Sequence, residues 1–137
     1  MKFYKFLILQ NIFITGSTGV VGKPLLKKLI ENGHNVYALS RSEENKKILE
    51  AQGVSVISGN ILTLNLIDQF ENIDIDAIFH VAGVNKMCSK NPQYMFDANI
   101  DGTKNILSLG NQLGISKFVY TSSAVTLGED LGSIGNE

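Results

Sequence analysis

The chain has 137 residues, enough for one domain that buries about two thirds of the surface its unfolded state exposes. With 44% apolar and 18% charged residues it is not a disordered chain, and its net charge of −1 gives no broad attraction to nucleic acid or to a membrane surface. The single Cys88 excludes an internal disulfide and suits a reducing, cytoplasmic compartment.

Residues 1–10 carry Lys2 and Lys5 ahead of the short apolar run Phe6-Leu7-Ile8-Leu9. That run is short for a signal sequence, no small-residue cleavage site follows it, and no run elsewhere is long enough to span a bilayer. We expect residues 1–10 to be an extension or a lead-in to the first strand, and residues 11–137 to be the folded domain.

Ile12-Phe13-Ile14-Thr15, apolar or β-favouring throughout, reads as a strand that runs directly into Gly16, Gly19 and Gly22. Behind it, Leu25, Leu26, Leu29 and Ile30 share one face of a helix from about Lys23 to Asn32, stopped by Gly33. Strand, glycine turn and helix in this order form the phosphate-gripping corner of a dinucleotide-binding βαβ unit. A side chain at the first glycine would block the chain reversal, one at the second would hold a pyrophosphate off the backbone, and one at the third would keep the helix off the strand. The N–H groups of the first helical turn then meet the phosphates. A mononucleotide P-loop does not fit. Five residues separate Gly16 from Gly22 where that motif has four, and Lys23 is followed by Pro24, which has no hydroxyl for Mg²⁺.

Farther on, Asn35 to Leu39 predicts a second strand, and Ser42 caps a helix carrying Ile48 and Leu49 that ends at Gly53. Val54 to Ser58 predicts the third strand, and a short helix around Asn65 to Glu71 turns Leu66, Ile67 and Phe70 inward. Ala77 to Val81 is the fourth strand. A long helix from about Pro92 to Leu113 is expected to bury Met95, Phe96, Ile100, Ile106, Leu107 and Leu109, and Lys117 to Ser122 forms the fifth strand. Alternating strands and helices imply an α/β doubly wound parallel sheet of Rossmann type, in the order 3-2-1-4-5, with the cofactor crossing between strands 1 and 4. The glycine-rich stretch from Gly128 to Glu137 suggests a fold cut before a sixth strand, and an open fifth-strand edge suggests a homo-oligomer.

The chemistry-bearing residues gather at the strand ends. An acid about twenty residues past the glycine turn would meet a free ribose 2′-OH, but Ser40-Arg41 stands there instead. Arg41 can pair with a 2′-phosphate, helped by Lys46 and Lys47, which favours NADP over NAD; alternatively Arg41 is a solvated surface residue and Glu43 does the acid's work. Asn60 and the backbone at Ile61 can meet an adenine edge, or Asn60 is simply a turn asparagine. Val81, Ala82 and Gly83 are small enough to admit the nicotinamide half. His80, inside an apolar strand, reads as a hydrogen-bonded structural histidine, and with His34 at a helix end nothing points to a metal site. A buried Asn99 must find partners, and Gly102 marks close packing. A serine at the carboxyl end of the fifth strand can hydrogen-bond a substrate oxygen.

Taken together, Thr-Gly-Ser-Thr-Gly-Val-Val-Gly (15–22), His-Val-Ala-Gly (80–83), Asn-Ile-Asp-Gly-Thr-Lys-Asn-Ile-Leu (99–107) and Val-Tyr-Thr-Ser-Ser-Ala-Val-Thr-Leu-Gly (119–128) resemble the extended short-chain dehydrogenase/reductase family, from about Asn11 onward. That group includes NAD-dependent epimerase/dehydratases and dihydroflavonol- or 3β-hydroxysteroid-type reductases. The resemblance implies a cofactor-binding role for Thr15, Gly16, Ser17, Thr18, Gly19, Val20 and Val21, with Gly22 completing the turn. It implies that Ser123 is the catalytic-site serine that orients the substrate oxygen and that Asn99 braces the site. The substrate would be a small carbonyl, alcohol or nucleotide sugar, handled by hydride transfer on NADP or NAD. A non-catalytic NAD(P)-sensing module is the alternative in a different class. Two departures stand out. The family usually has Asp where this chain has Asn60. Its Tyr-x-x-x-Lys acid/base is absent, because Tyr4, Tyr37, Tyr94 and Tyr120 are followed four residues on by Ile8, Arg41, Ala98 and Ala124. The chain alone is therefore expected to be inactive.

Overall fold

Ile12, Phe13 and Ile14 are all but inaccessible to solvent, so the first strand is covered on both faces. In the computed structural model, residues 9–63, 65–85 and 91–123 are described. The expectations for residues 1–8, Cys88, Ala124 and Gly128 to Glu137 fall outside them. β1 (Asn11–Thr15), β2 (Asn35–Ser40), β3 (Ser55–Ser58), β4 (Ala77–His80) and β5 (Phe118–Tyr120) form one parallel sheet in the order β3-β2-β1-β4-β5. This is the doubly wound arrangement expected from the sequence.

The two faces carry separate cores. Ile12 and Ile14 pack with Val36, Ala38 and Leu49, and with Leu26 and Leu29 of α1 (Gly22–Glu31). Phe13 and Ile78 pack on the other side with Phe70, Ala98, Ile106 and Leu109. Successive residues of β1 point to opposite faces, and both faces are apolar, which is why its sequence lacks polar alternation. The Phe13 and Phe70 rings meet edge to face at 5.0 Å.

Local signals explain most of the element ends. α2 (Glu43–Glu50) begins at Ser42, whose hydroxyl accepts from the Asn45 N–H at 3.3 Å. Glu43 and Glu44 lie in that first turn, favourably placed for the helix dipole. Replacing Ser42 with alanine should cost about 1 kcal/mol, read as a lowered urea midpoint. Gly33 and Gly53, with φ of +81° and +78°, end α1 and α2 as expected.

The short helix expected after β3 is a single 3₁₀ turn, Ile67–Phe70, with Leu66 and Phe70 buried and Ile67 partly so. The long helical stretch runs unbroken from Pro92 to Gln112, as expected, but not as one uniform α-helix, and three of its expected core residues are not inside. α3 (Pro92–Phe96) passes through one wide π-type turn, Asp97–Asp101, into α4 (Gly102–Gln112). Its inward side consists of Ala98, Gly102, Ile106, Leu109 and Gly110, while Phe96, Ile100 and Leu107 are exposed. Small residues face inward because the helix lies close: a Cβ on Gly102 would sit 2.7 Å from the Ile61 side chain.

Candidate dinucleotide cleft

β1, β2 and β4 end along the same edge of the sheet, and a cleft of about 230 Å³ opens there. Its floor is the glycine turn. Gly16 has a φ of +73°, and a Cβ on it would lie 2.6 Å from the Ala82 nitrogen. A Cβ on Gly22 would lie 2.0 Å from the Gly16 carbonyl oxygen. Only residues without side chains allow strand end, helix start and β4 exit to pack this tightly. The start of α1 has no side-chain cap and no acid in its first turn, so the positive end of its dipole is left for an anion, although the Lys23 and Leu25 N–H groups already donate to the Gly19 and Val21 carbonyls at 3.0 and 3.4 Å. This cradle fits a pyrophosphate.

The structure brings most of the expected cofactor residues to this cleft. Gly16, Thr18 and Gly19 line it from the turn, and Val81, Ala82 and Gly83 from the opposite wall. Arg41, Asn60 and Ile61 lie toward the β2 and β3 ends. Thr15, Ser17, Val20, Val21 and Gly22 do not line it. Val20 and Val21 are exposed just ahead of α1. Ser17 is buried, and its hydroxyl has no hydrogen-bond partner among the described residues. Thr15 is fully buried and turned to His80. Asn60 forms a turn in which its Oδ1 accepts from the Leu62 N–H at 3.1 Å, the local geometry of a turn asparagine.

His80 sits at the centre of a hydrogen-bond chain behind the cleft. The Thr103 hydroxyl donates to the Asn99 carbonyl at 2.7 Å, so its oxygen accepts from His80 Nε2–H at 3.0 Å. Nδ1 is then unprotonated and accepts from the Thr15 hydroxyl at 2.7 Å, while the Thr15 oxygen accepts from the Ala82 N–H at 3.2 Å. Burial pushes the His80 pKa down to about 4, and Tyr120 stacks on the ring with centroids 5.6 Å apart. His80 is thus a neutral, fully paired structural histidine, as its place in an apolar strand suggests.

Asn99 completes this bracing. Its Oδ1 accepts from the Val84 N–H at 2.7 Å and its Nδ2 donates to the Val84 carbonyl at 2.9 Å, a two-point clamp on the chain leaving β4. Ser123 is exposed, just past the carboxyl end of β5. Among the described residues, no cluster of three or more His, Cys, Asp or Glu could hold a metal ion, and no helix is long and apolar enough to cross a membrane.

Sequence reasoning missed Tyr94, Asn45 and Val84 in the cleft wall, and Thr103 behind it. Only Pro92, which opens α3, could have hinted that Tyr94 lies in an ordered first turn.

Comparison with known proteins agrees with this geometry. The profile described as the NAD dependent epimerase/dehydratase family matches residues 12–137. A putative dihydroflavonol 4-reductase of Synechocystis sp. is 33% identical over 116 residues, covering 85% of this chain and 33% of that protein. A UDP-glucose 4-epimerase of Pisum sativum is 29% identical over 136 residues, covering 88% of this chain and 38% of that protein. Among solved structures, Pen from Bacillus thuringiensis superposes with a TM-score of 0.77 at 28% identity, covering 90% of this chain and 41% of that one. The chain spans roughly a third to two fifths of the length of these relatives.

Proposed function

The chain belongs to the NAD dependent epimerase/dehydratase family, and on that premise we propose that it forms the cofactor-binding part of an NADP-preferring oxidoreductase acting on a small carbonyl or alcohol. Arg41 carries the NADP preference. It lies in the cleft just past the end of β2, where an acid would otherwise meet the ribose 2′-OH, and neither residue 40 nor residue 41 is acidic.

The bound nicotinamide would supply or accept the hydride. The residues of this chain do the rest of the holding. Gly16, Gly19 and the start of α1 seat the pyrophosphate, and Val81, Ala82 and Gly83 leave room for the nicotinamide half. Asn99 fixes that wall through Val84. Ser123, at the carboxyl end of β5, would hydrogen-bond the substrate oxygen. The chain carries no Tyr-x-x-x-Lys, so proton delivery to that oxygen is assigned to none of its residues.

The likeness to a UDP-glucose 4-epimerase supports a second reading, a nucleotide-sugar epimerase or dehydratase that retains NAD. Calorimetry separates the two. In the NADP reading, Arg41→Ala weakens NADP⁺ binding by about 1.5–3 kcal/mol, the worth of a charge-assisted pair, and leaves NAD⁺ binding unchanged. Equal NADP⁺ affinity in the two proteins would overturn it.

A further inference from the structure

Arg41 and Tyr94 reach each other across the mouth of the cleft. Arg41 follows β2 and Tyr94 lies in α3, 53 residues later, yet Arg41 Nη1 donates to the Tyr94 hydroxyl at 2.7 Å. Both side chains line the cleft. Each is anchored on its own wall. The Ser40 hydroxyl donates to the Ser42 carbonyl, which fixes the turn containing Arg41. On the other side, the Asn91 side chain accepts from the Tyr94 N–H at 3.2 Å.

The chemistry of the pair favours one kind of ligand. A guanidinium has five N–H donors in a rigid fork, and the bond to Tyr94 uses one of them. The Tyr94 oxygen already accepts from Arg41, so what its hydroxyl offers a ligand is its proton. The pair therefore presents donors, and a phosphate, which only accepts at full ionisation, satisfies them. A ribose 2′-OH needs an acceptor for its proton, and this pair supplies none as readily. Tying the guanidinium down beforehand also reduces the ordering cost when the anion arrives.

We propose that Tyr94 is the second residue of the 2′-phosphate site: it holds the Arg41 fork in place and donates its own hydroxyl proton to the phosphate. The proposal rests on the NADP reading of Arg41 and adds a residue that has no motif.

Titration calorimetry of NADP⁺ and NAD⁺ into the full chain, Tyr94→Phe, Arg41→Ala and the double variant tests it. Tyr94→Phe should weaken NADP⁺ roughly ten-fold and leave NAD⁺ unchanged. The double variant should be no more than about two-fold weaker than Arg41→Ala alone, because both substitutions break one unit. If Arg41→Ala weakens NADP⁺ while Tyr94→Phe leaves it unchanged or tightens it, the role of Tyr94 is overturned and the NADP reading stands. Equal weakening of both cofactors by Tyr94→Phe would also overturn it, since the ring would then merely shape the cleft. No effect of Arg41→Ala on NADP⁺ would remove both readings together.

Discussion

Gly22→Ala should destabilise the domain by about 3 kcal/mol or more and abolish dinucleotide binding. The added Cβ would lie 2.0 Å from the Gly16 carbonyl oxygen, 2.7 Å from its carbon and 2.8 Å from the Ser17 Cα. These are backbone atoms, with no rotamer to turn aside, so the cost sits at or above the upper end of ordinary overpacking. Gly16 is itself tightly placed, since a Cβ on it would lie 2.6 Å from the Ala82 nitrogen. Gly53→Ala makes the control. Its Cβ would meet nothing within 4 Å, and only the left-handed φ of +78° opposes it, at about 1–2 kcal/mol. Urea unfolding of both variants reads the contrast, and a Gly22→Ala midpoint no lower than that of Gly53→Ala would refute the steric account.

Acid should loosen the fold through His80. The unfolded imidazole takes up a proton near pH 6.5, whereas the folded one, desolvated by burial, does so only near 4. Between those values the unfolded state binds more protons, so stability falls as the pH is lowered through this window and is fully present above it. The loss approaches roughly 3 kcal/mol at its lower end. Burial disfavours the charged ring, and Nδ1, the position that would take the proton, is accepting from Thr15. Unfolding free energies measured at pH 7, 5.5 and 4.5 for the wild type and His80→Gln check this. The variant should start lower, because the Thr15 and Thr103 hydroxyls lose their shared partner, and should lose less on acidification. Parallel pH profiles would show that His80 is not responsible.

Most of the architecture was legible because its signals are local. Continuous apolar runs such as Ile12-Phe13-Ile14 imply strands covered on both faces, and helices between them leave a parallel sheet as the solution. Ser42, Gly33 and Gly53 mark helix ends through their own backbone chemistry. What escaped depends on distance or on closeness. The bond from Arg41 to Tyr94 spans 53 residues and that from His80 to Thr103 spans 23, and no periodicity encodes either. The exposed Phe96, Ile100 and Leu107 were expected inside because bulky apolar residues usually mark the buried face. Here the approach of the helix to Ile61 is so close that Ala98 and Gly102 occupy that face instead.

The wide turn at Asp97–Asp101 sets the phase of everything after it. An α-helix advances by about 100° per residue, so one residue counted in or out swings all later side chains through more than a quarter of a circle. Asn99 inside the turn clamps Val84, while Thr103, just past it, meets His80 and hands its proton back to the Asn99 carbonyl. The same stretch thus addresses two neighbours, one at the rim of the cleft and one deep in the sheet, whose directions a regular spiral would fix relative to each other. A single broadened turn supplies the missing angular freedom, as such bulges often do at functional sites. The helix works here less as a strut than as a vernier.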